Sequence, residues 1–178
     1  MSNKLFGIFM VLQACIGLSV MAQGSIALEE HKMLKMDEGV WNAQISMWTG
    51  SESDPIQSTV KETNSMLGEL WSIGKMEGNI AGTDFVGFAT LGYDPMQKKY
   101  VGTWIDSVTP VITHMEGTYD PQTKTLTLFY FTFGQNGEKE ERKNVMVYKD
   151  HNTRDFMMYI KNGGEWTRAM AILYKRIQ

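Results

Sequence analysis

The stretch that decides the fold runs from Gly82 to Asp120 and reads GTDFVGFATLGYDPMQKKYVGTWIDSVTPVITHMEGTYD. Aromatic and β-branched residues alternate there with small or polar ones in three runs, 85–93, 100–106 and 111–119. Turn sequences that contain Asp-Pro and Thr-Pro separate the runs. Alternation with a period of two, interrupted by such turns, predicts an antiparallel β-meander.

One turn sequence occurs twice. Tyr-Asp-Pro begins the turn at 93–98 and again the turn at 119–124, each ending in Lys. Proline fixes φ for a tight turn, and the preceding aspartate can accept hydrogen bonds from the backbone N–H groups that follow it.

The same period extends to both sides of this stretch. Upstream, a Ser25 cap and a loose apolar stripe predict a helix that ends near Glu38. The pattern predicts no turn at Gly68. EGNIAGTD (77–84), GQNGEKEER (134–142) and KDHNTR (149–154) are predicted as loops or turns. The ten predicted strands are 40–47, 56–66, 67–76, 85–93, 100–106, 111–119, 126–133, 144–148, 156–161 and 166–177.

The order of these elements predicts the fold class. No helix falls between strands, which excludes βαβ folds. An all-β meander of this length usually removes its exposed edges by closing, so we predict an antiparallel up-and-down barrel of about ten strands with an N-terminal lid helix. A two-sheet sandwich is the alternative, and the lack of long crossovers argues against it.

The pattern F-x-G-x-x-x-x-G-Y-D-x-x-x-x-K-Y followed by W-x-D resembles the bacterial domain-of-unknown-function 1579 family. It begins at Phe85 and ends at Asp106, and further similarity covers nearly the whole chain after the first two dozen residues. The resemblance implies a lipocalin-like or calycin-like barrel. It implies no activity, because the role of the family is not established.

Gly39, Trp41 and Arg176 form a second resemblance, at the two ends of the predicted barrel. In lipocalin-type barrels Gly-x-Trp begins the first strand, and an arginine on the last strand packs over that tryptophan. A guanidinium on an indole face gains cation–π attraction. We therefore expect these three residues to close the barrel.

The first residues, MSNKLFGIFMVLQACIGLSVMAQG, predict export. One lysine precedes an apolar stretch, and Val20-Met21-Ala22 suits a signal peptidase, so residues 1–22 are predicted as a signal peptide and 23–178 as a single barrel domain. The expected location is periplasmic or secreted, without membrane insertion after cleavage. A lipoprotein anchored through Cys15 is the alternative.

Composition excludes several classes of protein. Cys15 is the single cysteine, so cleavage leaves no disulfide and no thiolate metal site. The chain has a formal net charge of −3 and no basic stripe, which argues against a nucleic-acid partner. The spacing of His31, His114 and His151 does not suit a zinc site. No cofactor is expected, although His114 inside a barrel could ligate haem.

Strand alternation places the helix and both Tyr-Asp-Pro turns at one end and loops rich in Gly, Ser and Asn at the other, which we call the open mouth. Residues at a barrel mouth are suited to meet an entering ligand. The candidate ligand-binding residues are Trp48, Trp104, Asp106, His114, Trp166 and Arg168. For each tryptophan, ordinary core packing is the competing interpretation; Asp106 could cap its turn, Arg168 could pair with Glu62 or Glu116 or point outward, and the face of His114 is open.

Two classes of function fit this site. The favoured one is a binding protein for a small apolar or amphipathic molecule, which needs volume and an apolar lining. The alternative is a hydrolase or isomerase with Asp106, His114 or Arg168 as acid or base; no catalytic residue is assigned, and no nucleophile motif is present. A structural envelope protein with a solid core is the third possibility.

Overall fold

The computed structural model describes residues 26–50, 54–134 and 137–178. The predicted signal peptide and the Ser25 cap lie outside these residues. A 3₁₀ helix spans Glu29–Met36. The ten strands follow as β1 Gly39–Met47, β2 Ile56–Leu67, β3 Trp71–Ile80, β4 Thr83–Asp94, β5 Lys99–Asp106, β6 Thr113–Asp120, β7 Thr125–Phe133, β8 Lys139–Asp150, β9 Thr153–Asn162 and β10 Glu165–Arg176.

The strands form one closed antiparallel barrel in which each pairs with its neighbours in sequence and β1 pairs with β10. The seam between β1 and β10 runs from Trp41–Arg176 to Met47–Met170. Closure pairs the first and last strands, so the sheet has no free edge. The predicted fold class is confirmed, and the sandwich is excluded.

The inward-facing side chains pack into two buried clusters. The cluster at the seam includes Trp41, Ile45 and Ile172, while a second cluster joins the 3₁₀ helix to β5, β7 and β8 through Leu34 and Tyr148. Tyr100 Oη donates to the Glu30 carbonyl over 2.7 Å. The helix therefore closes one end of the barrel, and the described loops of the open mouth, such as Ala81-Gly82 between β3 and β4, lie at the other.

Four predicted loops or turns were wrong in their boundaries. The turn between β2 and β3 lies at Gly68–Leu70, where Gly68 has φ +60°, rather than between 66 and 67. EGNIAGTD is mostly strand, because a tight turn at Ala81-Gly82, with φ of 51° and 88°, joins β3 directly to β4.

The polar stretches were the other source of error. Residues 139–142 belong to β8, where Arg142 pairs with Glu140 over 2.7 Å. In KDHNTR the turn is confined to His151 and Asn152, and Arg154 already belongs to β9. Their charge suggested solvent, but the folded barrel supplies partners for these side chains: Glu140 for Arg142, and Asp37 and Glu62 for Arg154.

Candidate functional site

The closed end of the barrel contains the contact predicted between the first and last strands. The Arg176 guanidinium lies 4.0 Å from the centre of the Trp41 ring. It also donates to backbone carbonyls of Met36, Glu38 and His151, which ties the chain before β1 to the end of β10. Gly39, Trp41 and Arg176 thus lie close together at the seam.

A second arginine, absent from the sequence prediction, lies on the same tryptophan. Arg154 is 1% exposed, and its guanidinium lies 4.3 Å from the Trp41 ring and 4.4 Å from the Tyr174 ring. It forms buried ion pairs with Asp37 and Glu62. Tyr148 donates to Asp37 and Tyr174 donates to Glu62, each over 2.9 Å.

This buried network keeps its arginine charged. Burial disfavours the charged form, but the carboxylates of Asp37 and Glu62 outweigh that effect and raise the pKa of Arg154. Burial also raises the pKa of Asp37 and places the pKa values of Tyr148 and Tyr174 well above the usual value. The network is enclosed by the helix and the first, last and neighbouring strands, so its evident role is structural.

At the open mouth, Trp104 and Asp106 form one unit. Trp104 Nε1 donates to Asp106 Oδ2 over 2.8 Å, and its ring stacks on Phe85 with a centroid distance of 6.2 Å. The ring lies so close to Gly87 that a Cβ there would fall 2.4 Å from it. Asp106 Oδ1 accepts from the backbone N–H groups of residues 108 and 109. The carboxylate therefore caps the following turn.

The other predicted residues fall into two further groups. The Arg168 guanidinium lies 4.4 Å from the Trp48 ring centre, and it pairs with neither Glu62 nor Glu116, which bind Arg154 and Lys99. His114 is exposed on the outer face of β6, whereas Met115 and Gly117 alternate inward. The structure therefore does not bring Asp106, His114 and Arg168 together.

His114 and Trp166 line a groove on the outer wall, which we call the wall groove. Its volume is about 750 Å³. The residues that line it come from β3 to β8 and from β10: Trp71, Thr90, Val101, Gly102, Thr103, His114, Met115, Glu116, Phe129, Tyr130, Phe131, Lys139, Glu141, Arg142 and Trp166.

The groove lies where β6 and β7 diverge. Their ladder runs from Asp120–Thr125 only as far as Glu116–Phe129, while β7 continues alongside β8 to Phe133–Lys139. The start of β6 and the end of β7 are therefore separated towards the open mouth. That gap exposes outward-facing rings, including Phe129 and Phe131, beside the backbone of both strands.

Aromatic rings and lysines alternate along this wall. Phe129 and Trp166 are in contact, with ring centres 6.2 Å apart. Lys139 Nζ lies 3.9 Å from the Phe131 ring centre, and Lys143 Nζ lies 4.5 Å from that of Trp166. The arrangement combines a flat apolar surface with positive charge.

No helix among the described residues is long and apolar enough to cross a membrane. In the same part of the chain, no group of three or more His, Cys, Asp and Glu side chains is arranged to hold a metal ion.

A sequence model of a protein family matches residues 27–176; its description is "Protein of unknown function (DUF1579)". The match covers most of the chain. This chain belongs to the DUF1579 family. No protein with a curated description matches this DUF1579 member.

Two solved structures resemble this DUF1579 barrel. Rv2717c from M. tuberculosis has a TM-score of 0.58 and 9% identity, with 85% of this chain and 99% of that chain covered. The S-type phycobiliprotein lyase CPES from Guillardia theta has a TM-score of 0.56 and 12% identity, covering 85% and 94%. At these identities the likeness concerns the fold alone, which is that of lipocalin-like barrels.

Sequence reasoning missed the groove residues of this DUF1579 protein, chiefly Phe129, Phe131 and Lys139. The alternation of Leu126 and Leu128 with the phenylalanines did contain the signal, since both leucines are buried and both phenylalanines exposed. Rings that face outward from a closed barrel form an exposed apolar surface, and such surfaces often mark binding sites.

Proposed function

We propose that this protein is a binding protein for a small apolar or amphipathic molecule, which it holds in the wall groove. The observation that carries the proposal is the groove itself, whose volume of about 750 Å³ falls in the range of small-molecule sites. Exposed rings from β7 and β10 form its apolar surface, and the closed barrel provides a rigid support.

The proposal changes the position expected for the ligand. The sequence suggested a ligand inside the barrel, reached through the open mouth. The inward-facing side chains pack into two clusters, with Trp104 against the seam cluster, so the wall groove offers better access. Of the predicted residues, His114 and Trp166 belong to this site, and the other four lie outside it.

The lipocalin-like fold supports the proposal at a general level. One structural relative is named a phycobiliprotein lyase, so a barrel of this kind is compatible with a small-molecule partner. We further propose export to the periplasm or the medium. Mass spectrometry of protein from the culture should find an N-terminus at Gln23; an N-terminus at Met1, or a lipid on Cys15, would contradict this.

A fluorescence titration tests binding in the wall groove. The probe is the methyl ester of 11-(dansylamino)undecanoic acid, a neutral amphiphile whose emission rises in apolar surroundings. Phe131→Ser should weaken binding about tenfold, because a half-buried ring that a ligand covers contributes roughly 1–2 kcal/mol. Energy transfer from tryptophan to bound dansyl should fall in Trp166→Phe and persist in Trp48→Phe.

Phe88 supplies the matched control. It faces outward and is 44% exposed, against 48% for Phe131, but it lies outside the groove. Phe88→Ser should therefore bind the ester like the unaltered protein. Equal weakening in both variants, or no binding of either the ester or the corresponding free acid, would refute the proposal.

A further inference from the structure

The charges beside the wall groove specify its ligand more narrowly. Three lysines on the outer faces of β8 and β9 lie over aromatic rings: Lys139 on Phe131, and Lys143 and Lys161 on Trp166. An ammonium group over a ring is attracted by the ring quadrupole, and this holds the positive charge next to the apolar surface.

Only part of this positive charge is neutralised by the protein. Lys161 pairs with Glu141 over 2.8 Å, and Arg142 pairs with Glu140 over 2.7 Å. Among the described residues, no carboxylate lies within ion-pair distance of Lys139 or Lys143. Glu116, the remaining acid in the groove, is bound by Lys99 over 2.6 Å.

The positive excess is local. The chain as a whole carries a net charge of −3, so the positive charge beside this groove is opposite in sign to the net charge of the protein. Lys139 and Lys143 occupy the same face of β8, about 13 Å apart at their Cα atoms by strand geometry. Glu141 lies between them on that face, where Lys161 binds its carboxylate over 2.8 Å. The long, flexible side chains of Lys139 and Lys143 can both approach one acidic group.

We propose that the ligand of the wall groove is an anionic amphiphile. Its apolar body lies against Phe129, Phe131 and Trp166, and its acid group binds between Lys139 and Lys143. This inference rests on the proposed function, and it adds the chemical class of the ligand. A neutral ligand would gain less from the two lysines than a carboxylate, sulfonate or phosphate group, which would replace their hydration with charge-assisted contacts.

The test compares one probe in two forms, 11-(dansylamino)undecanoic acid and its methyl ester. They share the apolar body and differ in the charged group. At low ionic strength the acid should bind about tenfold more tightly than the ester, since its contacts are stronger than those of a fully exposed ion pair. The preference should shrink in 0.5 M NaCl, because salt screens exposed charges.

The double variant K139Q/K143Q should bind acid and ester with nearly equal affinity, and its affinity for the ester should not change. The control is K61Q/K75Q, which removes one lysine on β2 and one on β3. Both of these lysines pair with Glu77. This control alters the net charge equally and should retain the preference.

The outcomes separate the two proposals. If neither form of the probe binds, the proposed function fails. If both bind equally to the unaltered protein, the groove binds amphiphiles but the anionic class is wrong. If the preference for acid survives in K139Q/K143Q, these two lysines do not bind the acid group and the inference drawn from them fails. If K61Q/K75Q loses the preference to the same extent, general charge and not the groove is responsible.

Discussion

Arg154 lies at the closed end of the barrel with its guanidinium between the rings of Trp41 and Tyr174. Two carboxylates, Asp37 and Glu62, bind it in a space closed to solvent. A buried ion pair contributes little net stability compared with apolar packing, but removing one partner leaves the other charge without compensation. Replacing Arg154 alone is therefore expected to destabilise the folded protein, because both carboxylates would stay buried.

We expect Arg154→Met to lower the free energy of unfolding by about 3–5 kcal/mol, because Asp37 and Glu62 would remain buried without their cation. Urea denaturation followed by tryptophan fluorescence measures this. The loss should diminish as the pH falls from 7 to 4. Burial already raises the pKa of Asp37, and the variant lacks the arginine that opposes this rise, so the cost is full above the folded-state pKa of Asp37 and protonation relieves it.

Arg168→Met is the control for this variant. Arg168 also stacks on a tryptophan, Trp48, but it is exposed, and such contacts contribute about 0.5–1 kcal/mol. If Arg154→Met lowered the free energy of unfolding no more than Arg168→Met, the buried network would not be needed for stability.

The contrast between Arg176 and Arg154 shows what sequence can predict at this scale. Arg176 could be predicted because its partner Trp41 is the tryptophan of a recognisable Gly-x-Trp. Arg154 sits in KDHNTR, where the composition indicates a turn, and its neighbours in space come from residues 37, 62 and 174. Contacts between distant parts of the chain leave no local pattern.

Among the elements, the 3₁₀ helix depends on the side chains it inserts into the barrel. Leu34 is fully buried against the cluster of β5, β7 and β8, while Leu28 is 44% exposed. We expect Leu34→Ala to cost about 2–5 kcal/mol through lost burial and the cavity left behind. Leu28→Ala should change the free energy of unfolding by about 0.5 kcal/mol or less. Similar values for both in urea denaturation would mean that the helix does not anchor the closed end.

The two Tyr-Asp-Pro turns lead to a prediction about acid. Hydrogen bonds from Gln97 lower the pKa of Asp94, and hydrogen bonds from Thr123 and Gln122 lower that of Asp120, both from 3.8. A lowered folded-state pKa means that the stabilisation is present above the unfolded value of 3.8 and is lost as the pH falls through the folded values. The melting temperature should therefore drop between pH 5 and pH 2.5.

In the double variant D94N/D120N this drop should be smaller, since neither asparagine can be protonated in that range. Asp84→Asn serves as the control, because Asp84 accepts a single hydrogen bond from Asn79 on β3 and caps no Asp-Pro turn. An unchanged acid dependence in D94N/D120N would indicate that carboxylates elsewhere cause it.

These turns were readable from sequence, whereas the divergence of β6 and β7 was not. Asp-Pro specifies a turn within a few residues. The opening between strands depends on how the whole sheet twists, and in the sequence the residues beside it, such as Phe129, look like ordinary alternating strand. The wall groove thus became visible only with the barrel complete.

For the whole molecule, amide hydrogen exchange should distinguish the seam from the groove. Amides of β1 that bond across the seam should exchange only through global unfolding, because closing the barrel gives both terminal strands two neighbours. Amides at 113–115 and 130–132 that face the gap should exchange faster, since β6 and β7 do not pair there. Equal protection of the two regions would show that the gap is closed in solution.

The two strands of the seam are synthesised at different times. Trp41 leaves the ribosome about 135 residues before its partner Arg176. At about 5–20 residues per second, β1 waits roughly 7–27 seconds for β10. During that time its outer edge can pair with any other extended chain. We therefore expect the free edge of β1 to need protection from other chains until the last strand emerges, however stable the finished barrel is.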